Sequence, residues 1–425
     1  MTWTRTAAGV AGAIVLGAAG IAGCGAERSL TGAEPTNPTD RNRPGPEAQP
    51  SSRTPPGSPG TPTGTPAPDR TTPTSESCAE RALADLSLAE RVGQLFMGGV
   101  EVDSNPAFVP AALADARVGS ILLVGQATEG ADVVSTAIER GRAVAGSPGG
   151  AAPIVAVDQE GGQVQHLKGP GFEQMPSAAE QARRPPEELR ALAGEWGADL
   201  RSAGVDLNLA PVADVVPESI GSANEPVGAL GRGYGPDAGA ASEHVAAYVA
   251  GMADAGVASA VKHFPGLGKV HGNTDFSSGV VDTATTRDDP DLATFHAGVE
   301  AGAQFLMVAL ATYTEIHADR RAVFSPTVID GMVRGDLGFD GVVISDDLGV
   351  AREVSSVPPG RRALDFLRAG GDIVIVAGTP DTLLTMVDAV VAEAESDASF
   401  RASVDRSATR VLAAKERMGL LDCAA

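Results

Sequence analysis

The sequence predicts an α/β protein: a single (β/α)8 TIM-type barrel behind a disordered tether. Three observations lead there. After Cys78, short apolar or β-branched runs alternate with longer amphipathic stretches, the signature of a parallel α/β fold. The short runs number eight, and several are apolar throughout, as strands covered on both faces must be. No Gly-x-Gly-x-x-Gly follows the first of them, which argues against a doubly wound dinucleotide fold.

In chain order, Arg5 precedes an uncharged apolar run from Ala7 to Ala22, ending in Ile21-Ala22-Gly23-Cys24. At 16 residues the run is short for a membrane span, which needs about 20 residues, and suits an export signal over residues 1–23. Small residues before a cysteine resemble a lipoprotein lipobox, with Cys24 lipidated; a plain signal peptide is the other reading. Residues 24–77 hold 12 of the 30 prolines, with Thr, Ser, Gly and few large apolar side chains. Such a segment cannot bury enough surface to offset its ordering entropy, so it reads as a tether. The folded domain is expected over 78–425. Its candidate strands are Gly93–Val100, Ser120–Gly125, Pro153–Asp158, Asp206–Val212, Ala258–His263, Phe305–Leu310, Val342–Asp346 and Ile373–Ala377. Helices are expected between them, among them Ala178–Ala203, Ala238–Gly256, Pro290–Gly302, Pro326–Leu337 and Thr382–Glu395, with a last one near Ser399–Met418.

The charge balance of 32 basic to 54 acidic residues, net −22, argues against nucleic-acid binding. Three cysteines exclude a disulfide-dense scaffold and a Cys-rich metal protein, and no His/Cys cluster has metal-ligand spacing. With Cys24 lipidated, Cys78 and Cys423 are the two remaining thiols. They bracket the folded domain, barrel termini can lie close together, and export permits oxidation, so a disulfide between them is expected.

In barrels of this kind the site lies at the C-terminal strand ends. Three motifs fall there. Ile154-Val155-Ala156-Val157-Asp158-Gln159-Glu160-Gly161-Gly162 runs an apolar strand into an acid and a glycine pair suited to a tight turn. Asp158 either accepts hydrogen bonds from sugar hydroxyls or caps the turn. Val261-Lys262-His263-Phe264-Pro265-Gly266 puts one of only four lysines beside one of six histidines. They hold either a polyhydroxylated ligand or a structural ion pair. Gly341-Val342-Val343-Ile344-Ser345-Asp346-Asp347-Leu348 ends a strand on two acids. Neighbouring side chains on a strand point opposite ways, so one is expected to face the site unless both are caps. Together the motifs suggest a carboxylate-based site, and glycoside hydrolysis commonly uses two acidic groups.

At this point the sequence resembles glycoside hydrolase family 3, in particular its single-domain bacterial β-N-acetylglucosaminidases, over roughly Leu86 to Leu420. The resemblance rests on Val92-Gly93-Gln94-Leu95-Phe96-Met97, the Asp158–Gly162 motif, Ala210-Pro211-Val212-Ala213-Asp214, Arg232-Gly233-Tyr234-Gly235, Lys262–Gly266, Leu337-Gly338-Phe339 and Ser345–Leu348. It implies a retaining mechanism with Asp346 as nucleophile. It places Asp158, Arg232, Lys262 and His263 around the sugar and implies neither cofactor nor metal. Two positions depart from the pattern. His166 stands where the family usually has a substrate-contacting Arg. The Asp-Ser-His that carries the family's acid/base His is here Asn273-Thr274-Asp275. Asp275, on a loop from Gly266 to Gly279 expected to open and close, and His271 are the rival acid/base candidates. The expected function is an exported, lipid-anchored β-N-acetylhexosaminidase of cell-wall glycans or muropeptides. It would be a monomer on the outer face of the plasma membrane, touching the membrane through its lipid alone. The alternative is a catalytically weak or inactive wall-glycan binding lipoprotein on the same barrel.

Overall fold

The computed structural model describes residues 77–102 and 110–423. The signal segment 1–23, Cys24 and the tether up to residue 76 lie outside the described residues. No described helix is long and apolar enough to cross a membrane.

Eight parallel strands form the centre: β1 Phe96–Glu101, β2 Ser120–Val124, β3 Ile154–Val157, β4 Leu207–Asn208, β5 Ala258–Phe264, β6 Phe305–Val308, β7 Val342–Ser345 and β8 Val374–Val376. They are hydrogen-bonded in chain order, and β8 pairs back onto β1 through Phe96↔Val374, Met97↔Ile375 and Gly98↔Val376. Between β7 and β8 a single bridge, Ile344↔Ile373, closes the ring, with Ser345 N donating to Ile373 O at 3.0 Å. All eight predicted runs are strands, because each side chain of β3, β5, β6, β7 and β8 is buried. Burial of every side chain, mostly apolar ones, is the pattern for strands sandwiched between a packed interior and a shell of helices.

The differences from expectation have local causes. The first strand starts at Phe96, since Ser87 and Glu90 form a capping box that makes Leu88–Gly93 a helical turn. The fourth is short, because Pro211 has no N–H to donate and the chain resumes pairing only at Val212↔Lys262. The helix expected over Ala178–Ala203 is two, Ala178–Gln181 and Pro186–Ala203, split before Pro185-Pro186. The stretch Thr327–Asp336 is a π-helix. Ala131–Ala145 and Pro359–Arg368 complete the shell together with Ala238–Asp254, Ala293–Glu300 and Pro380–Ser396.

The helix Cys78–Asp85 packs on the last helix, Ala398–Arg417, around a small apolar cluster of Ala79, Ala82, Leu86, Leu412 and Leu421. There Cys78 and Cys423 are joined by a disulfide, with Cα atoms 5.6 Å apart.

Candidate active site

Asp158 leaves the end of β3 half-buried, and the chain turns at once into a short hairpin, Gln159–Gly161 against Val164–Gln165. Gly161 and Gly162 both hold positive φ there, at 103° and 58°, which explains the glycine pair. Glu160, two residues after Asp158, is turned to the same side and is buried. Lys262 and His263 come from the end of β5, where the register with β6 shifts between Val261 and Phe264. A shift of this kind re-aims side chains, so consecutive residues can both find partners at the mouth.

Lys262 Nζ lies 2.5 Å from Asp158 Oδ1 and 2.6 Å from Glu160 Oε1. Arg232 grips Glu160 with two bonds, Nε to Oε2 at 2.8 Å and Nη2 to Oε1 at 2.7 Å, and its Nη1 donates to Pro226 O. Burial alone would raise the Glu160 carboxyl, but the charges of Arg232 and Lys262 outweigh it and hold the group well below the usual carboxylate range. Burial likewise works to lower Lys262, and Asp158 and Glu160 reverse it. The result is a fixed row of alternating charge, Asp158–Lys262–Glu160–Arg232, of which Asp158 has the most exposed side chain, at 28%. Removing Glu160 would leave the largely buried Arg232 without its carboxylate and Lys262 with Asp158 alone, a change that costs about 3–5 kcal/mol in such networks.

His263 is held from behind. Its Nδ1 meets Asp214 Oδ2 at 2.7 Å, and Asp214 Oδ1 accepts the backbone N–H groups of His263 and Leu267. The buried Asp214 thus fixes the ring and the start of the following loop together.

At the end of β7 the two acids separate. Asp347 is a turn cap: its carboxylate accepts from the backbone N–H groups of Gly349, Val350 and Ala377. Asp346 is half-buried, and among the described residues it accepts from Asp347 N alone, at 2.8 Å. Burial pushes the Asp346 carboxyl up to about 6; the His263 and Lys262 charges oppose the rise and the Asp275 carboxylate adds to it. The same Asp275 charge also raises Asp347, chiefly raised by burial.

Asp275 is exposed on the loop after β5, with its charge directed on Asp346; His271 is exposed too, but its ring Nδ1 faces Ala223 O at 3.3 Å. The loop, expected to be mobile, is pinned throughout. The buried Asn224 side chain donates to Leu267 O and Val270 O. Glu225 accepts from Asn273 N, and Asn273 caps the turn through Asp275 N. On the far side Arg352 N donates to Asp275 O and Glu353 N to Thr274 O. The buried Glu353 carboxylate takes Val280 N at 2.9 Å and pairs with Arg321 at 2.7 Å.

His166 sits at the outer edge. Its Nδ1 meets Gly125 O just beyond β2, and its backbone joins the loops after β2 and β3 through Ala127 N and Gln159 Oε1. The barrel mouth thus gathers Asp158, Arg232, Lys262, His263, Asp275 and Asp346, leaves His271 turned toward the β4 loop, and uses His166 as a stitch. Glu160 and Asp214 lie in motifs noted in the sequence but were given no role there, and Glu353 carried no signal. Glu160 carried one available signal: period-two spacing from Asp158 on a strand entering the mouth.

The family description "Glycosyl hydrolase family 3 N terminal domain" matches residues 87–414. A β-hexosaminidase of Stenotrophomonas maltophilia is 36% identical over 231 residues, 52% of this chain and 66% of the relative. That match spans just under two-thirds of the relative's length. The crystal structure of a β-N-acetylhexosaminidase from Beutenbergia cavernae superposes with a TM-score of 0.76 at 44% identity, covering 78% of this chain and 99% of that one. A family 3 β-N-acetylglucosaminidase from Paenibacillus gives 0.70 at 28% identity, covering 79% and 63%. With a ring of eight parallel strands, carboxylates at its mouth and a match over most of its length, the chain belongs to glycosyl hydrolase family 3.

Proposed function

We propose that this glycoside hydrolase is a retaining β-N-acetylhexosaminidase that removes terminal β-N-acetylglucosamine from cell-wall glycans or muropeptides. We further propose that it is exported and held at the outer face of the plasma membrane through lipid on Cys24. The observation that carries the chemistry is Asp346: a half-buried carboxylate at a strand end, with one backbone hydrogen bond, set among Lys262, His263 and Asp275. Its free oxygen attacks the anomeric carbon. The form that reacts carries one proton between the two carboxylates, held on Asp275 with Asp346 ionised; the bond to the leaving oxygen breaks, and that oxygen takes this proton from Asp275. Water, giving its proton back to Asp275, then attacks the same carbon and releases Asp346. Asp158 and the Lys262 ammonium meet the sugar hydroxyls, and Asp214 keeps His263 oriented. The names of the β-hexosaminidase relatives support the choice of sugar.

The alternative, a wall-glycan binding lipoprotein, is motivated by Asp275 standing where the family usually has its acid/base His. Hydrolysis of a chromogenic N-acetyl-β-glucosaminide, assayed beside the corresponding glucoside, decides. Release from the first and far less from the second is expected. Sugar binding without release supports the alternative, and preference for the glucoside overturns the choice of substrate. Anchoring is checked by fractionation: wild type should follow the membrane and Cys24→Ala should not.

A further inference from the structure

Every described aromatic side chain except one is buried: Trp196, the three tyrosines and nine phenylalanines lie in the interior, and among the described residues Phe276 alone stands in solvent, 75% exposed. The described large apolar side chains that are exposed number three, and all lie on two loops of the barrel mouth. Phe276 and Val281 belong to the loop after β5, and Val350 to the loop after β7. Single exposed apolar residues scattered over a surface need no explanation. These are not scattered. Phe276 is the residue next to Asp275, Val350 is three residues past Asp347, and the backbone bonds of Arg352 and Glu353 tie the two loops together. Nor is Phe276 on a floppy tip: its N–H is bonded to Asn273 O at 3.1 Å, within the turn that Asn273 and Glu225 hold in place.

We infer that Phe276, with Val350 on the adjoining loop, is the platform on which the departing sugar of the substrate rests. In the proposed mechanism the leaving oxygen must lie against Asp275, so the ring carrying that oxygen lies beside its sequence neighbour. A pyranose ring has an apolar face of C–H groups, and an aromatic face with its negative quadrupole is the surface suited to it. A rigid platform also costs little ordering on binding. The subsite would therefore select a sugar leaving group over a small alkyl one, in continuity with the pocket around Asp346.

This inference rests on the glycosidase reading, so its test is one of binding, independent of turnover. Calorimetry compares N-acetylglucosamine with its thio-linked β-(1→4) disaccharide, which the enzyme does not cleave, on wild type and Phe276→Ala. Because Phe276 is exposed, the variant should fold unchanged. Wild type should bind the disaccharide at least about tenfold tighter than the monosaccharide. Phe276→Ala should lose most of that advantage while its monosaccharide affinity stays within about twofold, and Phe276→Trp should keep it. If the disaccharide advantage survives in Phe276→Ala, or is absent from wild type that binds the monosaccharide, the platform is wrong and the glycosidase reading stands. If wild type binds neither sugar, the glycosidase reading fails and the platform falls with it.

Discussion

Asp346 must be ionised to attack, and its carboxyl is pushed up to about 6, first by burial and then by Asp275. Below that value it is protonated, so kcat/KM should fall as pH drops through about 6, instead of near 4 as for an ordinary aspartate. Asp275→Asn removes a charge that raises Asp346, so the acid limb should move to lower pH. The measurement is a pH profile on an activated aryl glycoside, which needs little acid assistance; an unmoved limb would separate the two groups. The acid/base assignment has its own readout. Asp275→Ala should hurt substrates with poor leaving groups far more than activated aryl glycosides, with azide partly rescuing the latter. His271→Ala should behave as wild type, since its ring faces Ala223. The reverse pattern would transfer the role to His271. Asp346, Asp158, Lys262 and His263 were legible in the sequence because each ends an apolar strand. Glu160 and Asp214 were not, since their worth lies in partners far along the chain: Arg232 is 72 residues from Glu160.

The strands were legible as elements because burial on both faces leaves an unbroken apolar run, whatever the loops do. Loop behaviour was not legible. A segment rich in Gly and polar residues reads as mobile, yet here its bonds run to Asn224, Glu225, Arg352 and Glu353, none of them its neighbours in sequence. The Glu353 carboxylate reaches Val280 N across 73 residues and pairs with Arg321. It therefore acts as a positioning residue for Asp275. Glu353→Gln keeps an acceptor for Val280 but loses the charge facing Arg321. Because small misplacements of a reacting group are costly, kcat on poor leaving groups should fall about tenfold with little change in KM, and activated substrates should be spared. An equal loss on both substrate types would reduce Glu353 to a structural role.

For the whole molecule, the ring of strands places every proposed reacting group at one end, and the chain termini of the folded part are fastened by Cys78–Cys423 across 345 residues. The chain-entropy model gives ~5–6 kcal/mol for so long a loop, an upper figure since measured gains are usually smaller. Cys78→Ser with Cys423→Ser should lower Tm by several degrees while leaving kcat in place, because the bond lies on the flank formed by the first and last helices; an unchanged melting curve would show that the helix contacts suffice. The net charge of −22 fits the proposal that the glycan is met at a small fixed set of charged groups at the barrel mouth, and not through a basic surface. What ties fold, charge and chemistry together is the covalent attack proposed for Asp346. The direct measurement is to incubate the enzyme with an activated 5-fluoro N-acetylglucosaminyl donor, digest it and map the labelled peptide by mass spectrometry. A single glycosyl adduct on Asp346, absent in Asp346→Ala, is the expected result; an adduct on another carboxylate, or turnover of the donor with inversion and no adduct, would contradict it.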